Sequence, residues 1–360
     1  MPATSAPRSP VPMFVVPPYL LAHLASAEDP RFEAAATAAR HALETDPGIR
    51  QGRLSQHPSA VAPELEHPTA ATQSEPYRRI FDAKNSTELP GVLVRSDGGD
   101  TAPGDIAVTE AWDGLGATHT LLLSAVGWAS VDGNNARLDA TVHYGNRYDN
   151  AFWDGSRMVF GDGDGEVFGR FTASLSVIGH ELAHGVIETT AGLAYQGQSG
   201  ALAESIADAI GAMVEQHTLR HTADEASWII GAELFTDLVQ GEGLRNMLNP
   251  GTAYDDDVIG KDPQPAHMTD FVVTDADNGG VHLNSGIPNR AFALLSRDLG
   301  GFSWERAGVI WFDALTSGLP KTATFTRFAT STVTAAAARF GSGSREQVAV
   351  ESAWQSVGVL

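Results

Sequence analysis

Apolar residues in the second half of the chain recur at intervals of three and four. Segments 174–189, 199–217, 287–299, 304–317, 324–339 and 345–357 all carry this spacing, which predicts six helices, each with an apolar face. The first half reads differently. Short runs at 80–83, 91–95, 138–144 and 158–160 are bounded by turn residues and predict strands. Residues 106–131 predict a long helix, closed by the turn Asp132-Gly133-Asn134-Asn135. Pro17 opens a helical pattern that 32–43 continues, and residues 1–10 are expected to be disordered. From Pro47 to Pro76 the chain is polar and proline-containing with no period, which predicts a linker open to proteolysis. The Gly- and Pro-rich stretch 241–283 is expected to be irregular. The pattern therefore predicts an α+β fold with a mixed, strand-containing lobe over 76–195 and a helical lobe over 196–360. A helix near 174–189 lies between the lobes, and an N-terminal extension with its linker occupies 1–75.

Composition narrows the chemistry. The 360 residues are 42% hydrophobic and carry a formal net charge of −21, so a packed core is expected and nucleic acid is not an expected partner. No run of about 18 apolar residues appears, so no membrane span is expected. The N-terminus does not read as a standard secretory signal, which leaves location open between the cytoplasm and export by another route. There is no cysteine. Thiolate metal sites and cysteine nucleophiles are excluded, and any metal must be held by His, Asp or Glu.

His180-Glu181-Leu182-Ala183-His184 supplies such a set. On a helix, residues four apart share a face, so both imidazoles can reach one ion. Glu181 then lies beside the ion, placed to act as a general base. Twenty positions later, Glu204 and Asp208 share a face of a second predicted helix. Two like charges on one face repel unless a cation or partner is near. A zinc with two neutral histidines wants a third protein ligand, which Glu204 fits, and Asp208 could accept the other ring N–H of His180. The bland alternative is a pair of solvated helix faces.

These residues resemble the thermolysin family of zinc metalloendopeptidases, whose His, His, Glu site is a standard example of catalytic zinc. The similarity runs from about Ile80 to the C-terminus. It is carried by 150–165, by the zinc helix and its continuation through Tyr195, by Glu204 and Asp208, and by 277–289. The resemblance implies a two-lobe protease fold with the active-site helix between the lobes. It implies that Asn150 and the Ala151 carbonyl bind substrate backbone, with the peptide added as an extra strand. It puts Tyr195 and His282 at the oxyanion, with Asp277 orienting His282. Arg245 matches the residue that binds the substrate carbonyl. Leu244, Phe168, Phe171, Val177 and Ile230 would line an apolar pocket, implying a preference for large hydrophobic residues on the leaving side. The extension, with Pro17-Pro18-Tyr19-Leu20, resembles the short propeptide of protealysin-like members, so the partners are peptide and protein substrates and the chain's own propeptide. In one respect the chain departs from the family. Glu215 persists where a paired calcium site is expected, but Ser176, Ser227, Ile229 and Ala232 stand in place of carboxylates, so the double calcium site is expected to be absent. The competing readings are a zinc-bound protein without activity and an exopeptidase. Neither is favoured, since every required residue is present and nothing suggests recognition of a free terminus.

Overall fold

The computed structural model describes residues 13–56, 66–67, 75–99 and 104–360. The expectation of disorder over 1–10, and most of the predicted linker, lie outside that range.

A mixed sheet anchors the first lobe. Its strands, in chain order, are β1 (Met13–Phe14), β2 (Arg78–Asp82), β3 (Val92–Ser96), β4 (Leu138–Val142), β5 (Ala151–Trp153) and β6 (Met158–Phe160), arranged spatially as β1-β5-β6-β4-β2-β3. β2, β4 and β6 run parallel, and antiparallel strands flank them on both sides. All five residues of β4 are buried, as expected of a central strand covered on both faces. β1 comes from the N-terminal extension and pairs with β5, Phe14 opposite Phe152.

Two helices complete the extension: α1 (Pro18–Ala25), which begins on a proline at its first turn, and α2 (Glu33–Gln56). α2 corrects the predicted linker boundary. Helix continues through Pro47 and Gly48 to Gln56, where the sequence alone suggests a break. Proline deletes one backbone donor and disfavours helix, yet the helix runs on through it.

α3 (Ile106–Val126) packs beneath the sheet, capped by Asp105, whose side chain accepts from the Val108 amide, and ended by Gly127 at φ 68°. α4 (Leu175–Thr189) is buried all round from Ser176 to Ile187, the mark of a helix in the middle of a protein rather than on its surface. Ser174 holds the N-cap position, but its hydroxyl pairs with Ser176 instead of capping. α5 (Gly197–Leu219) crosses α4 closely. A Cβ on Gly211 would lie 2.2 Å from the Ser176 carbonyl oxygen, so only glycine permits this approach.

The stretch 241–283 is less irregular than its composition suggests. β7 (Ile229–Ile230) pairs with β8 (Arg245–Asn246), and β9 (Asp255–Asp256) pairs with β10 (Gly260–Lys261). α6 spans Asp277–Asn284, but residues 277–280 all have positive φ, so true helix starts at Val281. His282 thus sits on a helix, not in a glycine turn. α7 (Gly286–Leu299), α8 (Ala307–Thr316), α9 (Phe325–Phe340) and α10 (Arg345–Ser356) complete the helical lobe. One apolar core runs through both lobes and takes in Phe14, Val15, Val16, Leu20, Leu21, Leu24 and Phe32 of the extension. Among the described residues, no helix is long and apolar enough to cross a membrane.

Candidate active site and metal centre

α4 and α5 bring three ligand-type side chains together, all fully buried. The His180 and His184 Nε2 atoms are 3.0 Å apart. Glu204 Oε2 lies 3.5 Å from His180 Nε2, and Oε1 lies 3.5 Å from His184 Nε2. Ligands bound to tetrahedral zinc at about 2.0–2.1 Å are about 3.3 Å from one another, so the triangle has the right size. It is the one group of three or more ligand-type residues with converging atoms among those described. Three buried carboxyl oxygens lack hydrogen-bond partners, both oxygens of Glu181 and Glu204 Oε2, and the last, within the triangle, fits a cation ligand.

Each histidine is prepared for a metal. His180 Nδ1 lies 2.8 Å from Asp208 Oδ1, which keeps the proton on that nitrogen and turns the Nε2 lone pair inward. Burial, then His180, hold His184 well below the ordinary histidine pKa, which favours the neutral form a metal needs. Asp208 remains ionised. Burial opposes its charge, but Arg245 and His180 outweigh that and lower its pKa. Arg245 grips Asp208 through Nε and Nη2, both at 2.8 Å, and Asn289 donates to the same carboxylate at 2.8 Å.

Glu181 is fully buried. Burial and then Glu204 push its carboxyl well above the usual range, and the Trp153 backbone offsets this only in part. Such a carboxyl can hold a proton and pass it on.

Opposite the triangle, Tyr195 Oη donates to Glu204 Oε1 at 2.5 Å and lies 3.4 Å from His282 Nε2. Asp277 accepts from both the backbone N–H of His282, at 2.8 Å, and its Nδ1, at 2.7 Å. The left-handed run 277–280 folds Asp277 back onto this ring; Gly279 and Gly280 adopt that conformation freely, and Asp and Asn tolerate it. Burial pulls His282 down, but Asp277 and Glu204 outweigh it, leaving its pKa above the ordinary value.

The cleft is lined by the chain's own extension. Val15 N donates to Ala151 O at 3.1 Å and Val16 N to Asn150 Oδ1 at 3.0 Å. Arg245 Nη1 donates to Val15 O at 2.9 Å, and His282 Nε2 lies 2.8 Å from Phe14 O. Every backbone-binding group expected from the sequence is thus engaged by residues 14–16. Phe168, Phe171, Val177, Ile230 and Leu244 are wholly buried in the core cluster that also holds Val15 and Val16. Pairing of Ile230 with Arg245 brings the last two beside the arginine.

Sequence reasoning leaves three participants out. Asn289 lies in the 277–289 motif with no assigned role. Asp46 accepts from Tyr148 Oη at 2.6 Å and from Asn150 Nδ2 at 3.1 Å. Tyr148, the third, carries no distinguishing pattern. Only an acidic residue on an otherwise alanine-rich helix face could have drawn attention to Asp46.

The site has the parts of a metal-dependent hydrolase: a ligand triangle, a buried carboxyl, and paired donors across a cleft that binds extended peptide. Comparison with known proteins carries this further. Residues 64–188 match the catalytic domain of thermolysin metallopeptidases, and residues 191–359 match their alpha-helical domain. The extracellular metalloprotease of Pectobacterium carotovorum subsp. carotovorum is 47% identical over 347 residues, covering 96% of each chain. Protease PrtS of Photorhabdus sp. (strain Az29) is 51% identical over 286 residues, covering 79% of this chain and 76% of that one. The solved precursor of protealysin, a metalloproteinase from Serratia proteamaculans, superposes with a TM-score of 0.86 at 46% identity, over 97% of this chain and all of that one. The chain belongs to the thermolysin family, in its protealysin-like branch. It is a zinc-dependent endopeptidase made as a precursor with an N-terminal propeptide.

Proposed function

We propose that residues 13–56 hold the protease inactive by lying in the cleft as a peptide substrate would, with the Phe14–Val15 bond at the catalytic groups. The observation that carries this is the set of four backbone contacts made by residues 14–16. In this reading Asn150, the Ala151 carbonyl and Arg245 bind the substrate main chain, and Phe14 O marks the position of the reacting carbonyl.

His180, His184 and Glu204 would hold the zinc, with Asp208 fixing His180. When bound, zinc supplies a Lewis acid that polarises a carbonyl and acidifies a neighbouring water. Glu181 takes a proton from the attacking water and delivers it to the leaving amine. His282 and Tyr195 donate to the oxygen on which negative charge develops, and Asp277 keeps the His282 ring turned toward it. Once the propeptide leaves, Phe168, Phe171, Val177, Ile230 and Leu244 would receive the residue after the cut bond, giving a preference for large apolar side chains there. The division at about residue 75 separates propeptide and linker from the catalytic lobes.

The experiment is digestion of a long unstructured peptide by processed enzyme, with zinc content measured alongside. Wild type should cut before large apolar residues. Glu181→Ala should keep zinc and lose at least about a hundredfold in rate. Wild-type rates in that variant would remove Glu181 from the mechanism, and cuts confined to chain ends would make this an exopeptidase.

We also propose that the family's double calcium site is missing. Glu215 has Ser227 Oγ 3.2 Å from its Oε1, and burial, then Glu233, push its pKa up to about 7. Such a site offers too few carboxylates for a hard cation. A calcium-selective chelator should leave the melting temperature of zinc-replete enzyme unchanged; a fall of several degrees that calcium reverses would overturn the proposal.

A further inference from the structure

The inward face of α2 is made of Ala35, Ala39 and Ala42, all buried, spaced by four and three residues. The next position on that face is Asp46, which is only 7% exposed. A carboxylate there is costly unless its oxygens are met. They are met by two neutral donors of the catalytic lobe, one oxygen by the Tyr148 hydroxyl at 2.6 Å and the other by Asn150 Nδ2 at 3.1 Å.

The second contact has a consequence for the cleft. A side-chain amide has one accepting end and one donating end. Asp46 Oδ2 accepts from Asn150 Nδ2, so Asp46 holds the donating end of Asn150 toward itself. The accepting end must then face the other way, where Oδ1 takes the Val16 amide at 3.0 Å and the Ala151 amide at 3.1 Å. Asp46 therefore acts on the strand in the cleft from thirty residues away, by fixing the orientation of the group that binds it. It also takes a donor that a peptide in the cleft could otherwise use.

We propose that Asp46 is the latch of the propeptide: a positioning residue that locks Asn150 in the conformation that grips Val16, so that helix α2 and strand β1 hold the cleft as one unit. The proposal deepens the inhibitory reading given above and rests on it. Loss of the latch loosens β1 even while α2 stays docked through its alanine face and through the Ala35 amide, which donates to Glu166 Oε2 at 3.0 Å.

The test uses the full-length chain carrying Glu181→Ala, which should remain uncut, and reads amide hydrogen exchange of residues 13–16. In that background Asp46→Ala should speed exchange of the Val15 and Val16 amides by about tenfold, the scale of one lost buried hydrogen bond. Glu44→Ala, an exposed position on the same helix, should not. Tyr148→Phe should speed exchange in the same direction by less, and should add nothing on top of Asp46→Ala. Protection of residues 33–42 in each variant shows whether α2 itself stays folded. If α2 melts in Asp46→Ala, the Tyr148→Phe variant decides. Equal protection of Val15 and Val16 in Tyr148→Phe and in the parent overturns the latch, as does equal protection in Asp46→Ala with α2 intact. These readings need no catalysis, so they stand apart from the peptidase assay. With Glu181 present, the uncut Asp46→Ala chain should also show about tenfold more peptidase activity than uncut wild type.

Discussion

At the scale of single residues, His143 ties two loops to the frame of the first lobe. Its Nδ1 lies 2.8 Å from Asp162 Oδ2 and its Nε2 2.9 Å from Asp105 Oδ2, the residue that caps α3. The Asp162 contact, reinforced by Asp105 and opposed by burial, raises the pKa to about 9. A histidine raised in this way stabilises the fold fully below its unfolded pKa of about 6.5 and loses that contribution as pH rises through 9. The group is half-buried, so solvent screens part of the effect. The expected outcome is a fall in melting temperature of the uncut Glu181→Ala protein between pH 6.5 and 9. That fall should be shallower in a His143→Asn variant, since asparagine tolerates the backbone φ of 54° found there. Parallel curves for the two proteins would show that the His143 pairs carry none of the pH dependence.

At the scale of elements, the metal triangle depends on how closely α4 and α5 approach. Gly211 touches the Ser176 backbone, and a Cβ on Gly179 would meet Val214 at 2.9 Å and Gly211 Cα at 3.0 Å. Because the obstacle at Gly211 is backbone, a side chain there must push the helices apart. Gly211→Ala should lower stability by roughly 1–3 kcal/mol, the usual cost of overpacking, and weaken zinc binding, because Glu204 and Asp208 ride on α5 while both histidines ride on α4. Unfolding with and without zinc checks both effects; unchanged zinc affinity would show that the crossing tolerates the shift. Elements also show where the sequence could be read. α4 and α5 were legible because fixed spacings on long periodic helices carry both the fold and the chemistry. β1 was not, because two residues have no period and their partner strand lies some 140 positions away. The end of α2 is hidden from the sequence because Pro47 and Gly48 are strong local signals for a break. His282 was legible as chemistry but not as helix, since the four left-handed residues before it hide the helix start.

At the scale of the whole molecule, propeptide and enzyme share one chain. The tether gives residues 13–16 an effective local concentration of the order of millimolar. A substrate-like peptide inhibitor must displace them, so it should bind the uncut Glu181→Ala chain far more weakly than the processed enzyme. The ratio is set by how rarely the strand leaves. Calorimetric titration of both forms measures this, and equal affinity would mean that the cleft is open in the precursor. The size of the core shared by the extension and the catalytic lobes also implies that cutting the linker alone does not open the cleft, since more than a dozen buried residues of the extension remain packed after the cut.

The placement of β1 at the margin of the sheet has one more consequence. With β1 in place, β5 has neighbours on both sides; once β1 departs, β5 becomes a bare margin with unpaired main-chain groups. An unprotected strand margin invites any extended chain to zip onto it. In the reading proposed above, that margin is where a substrate chain lies, so whatever zips on is placed for cutting. While it stays paired, β1 thus covers a margin that would otherwise lie open to other extended chains.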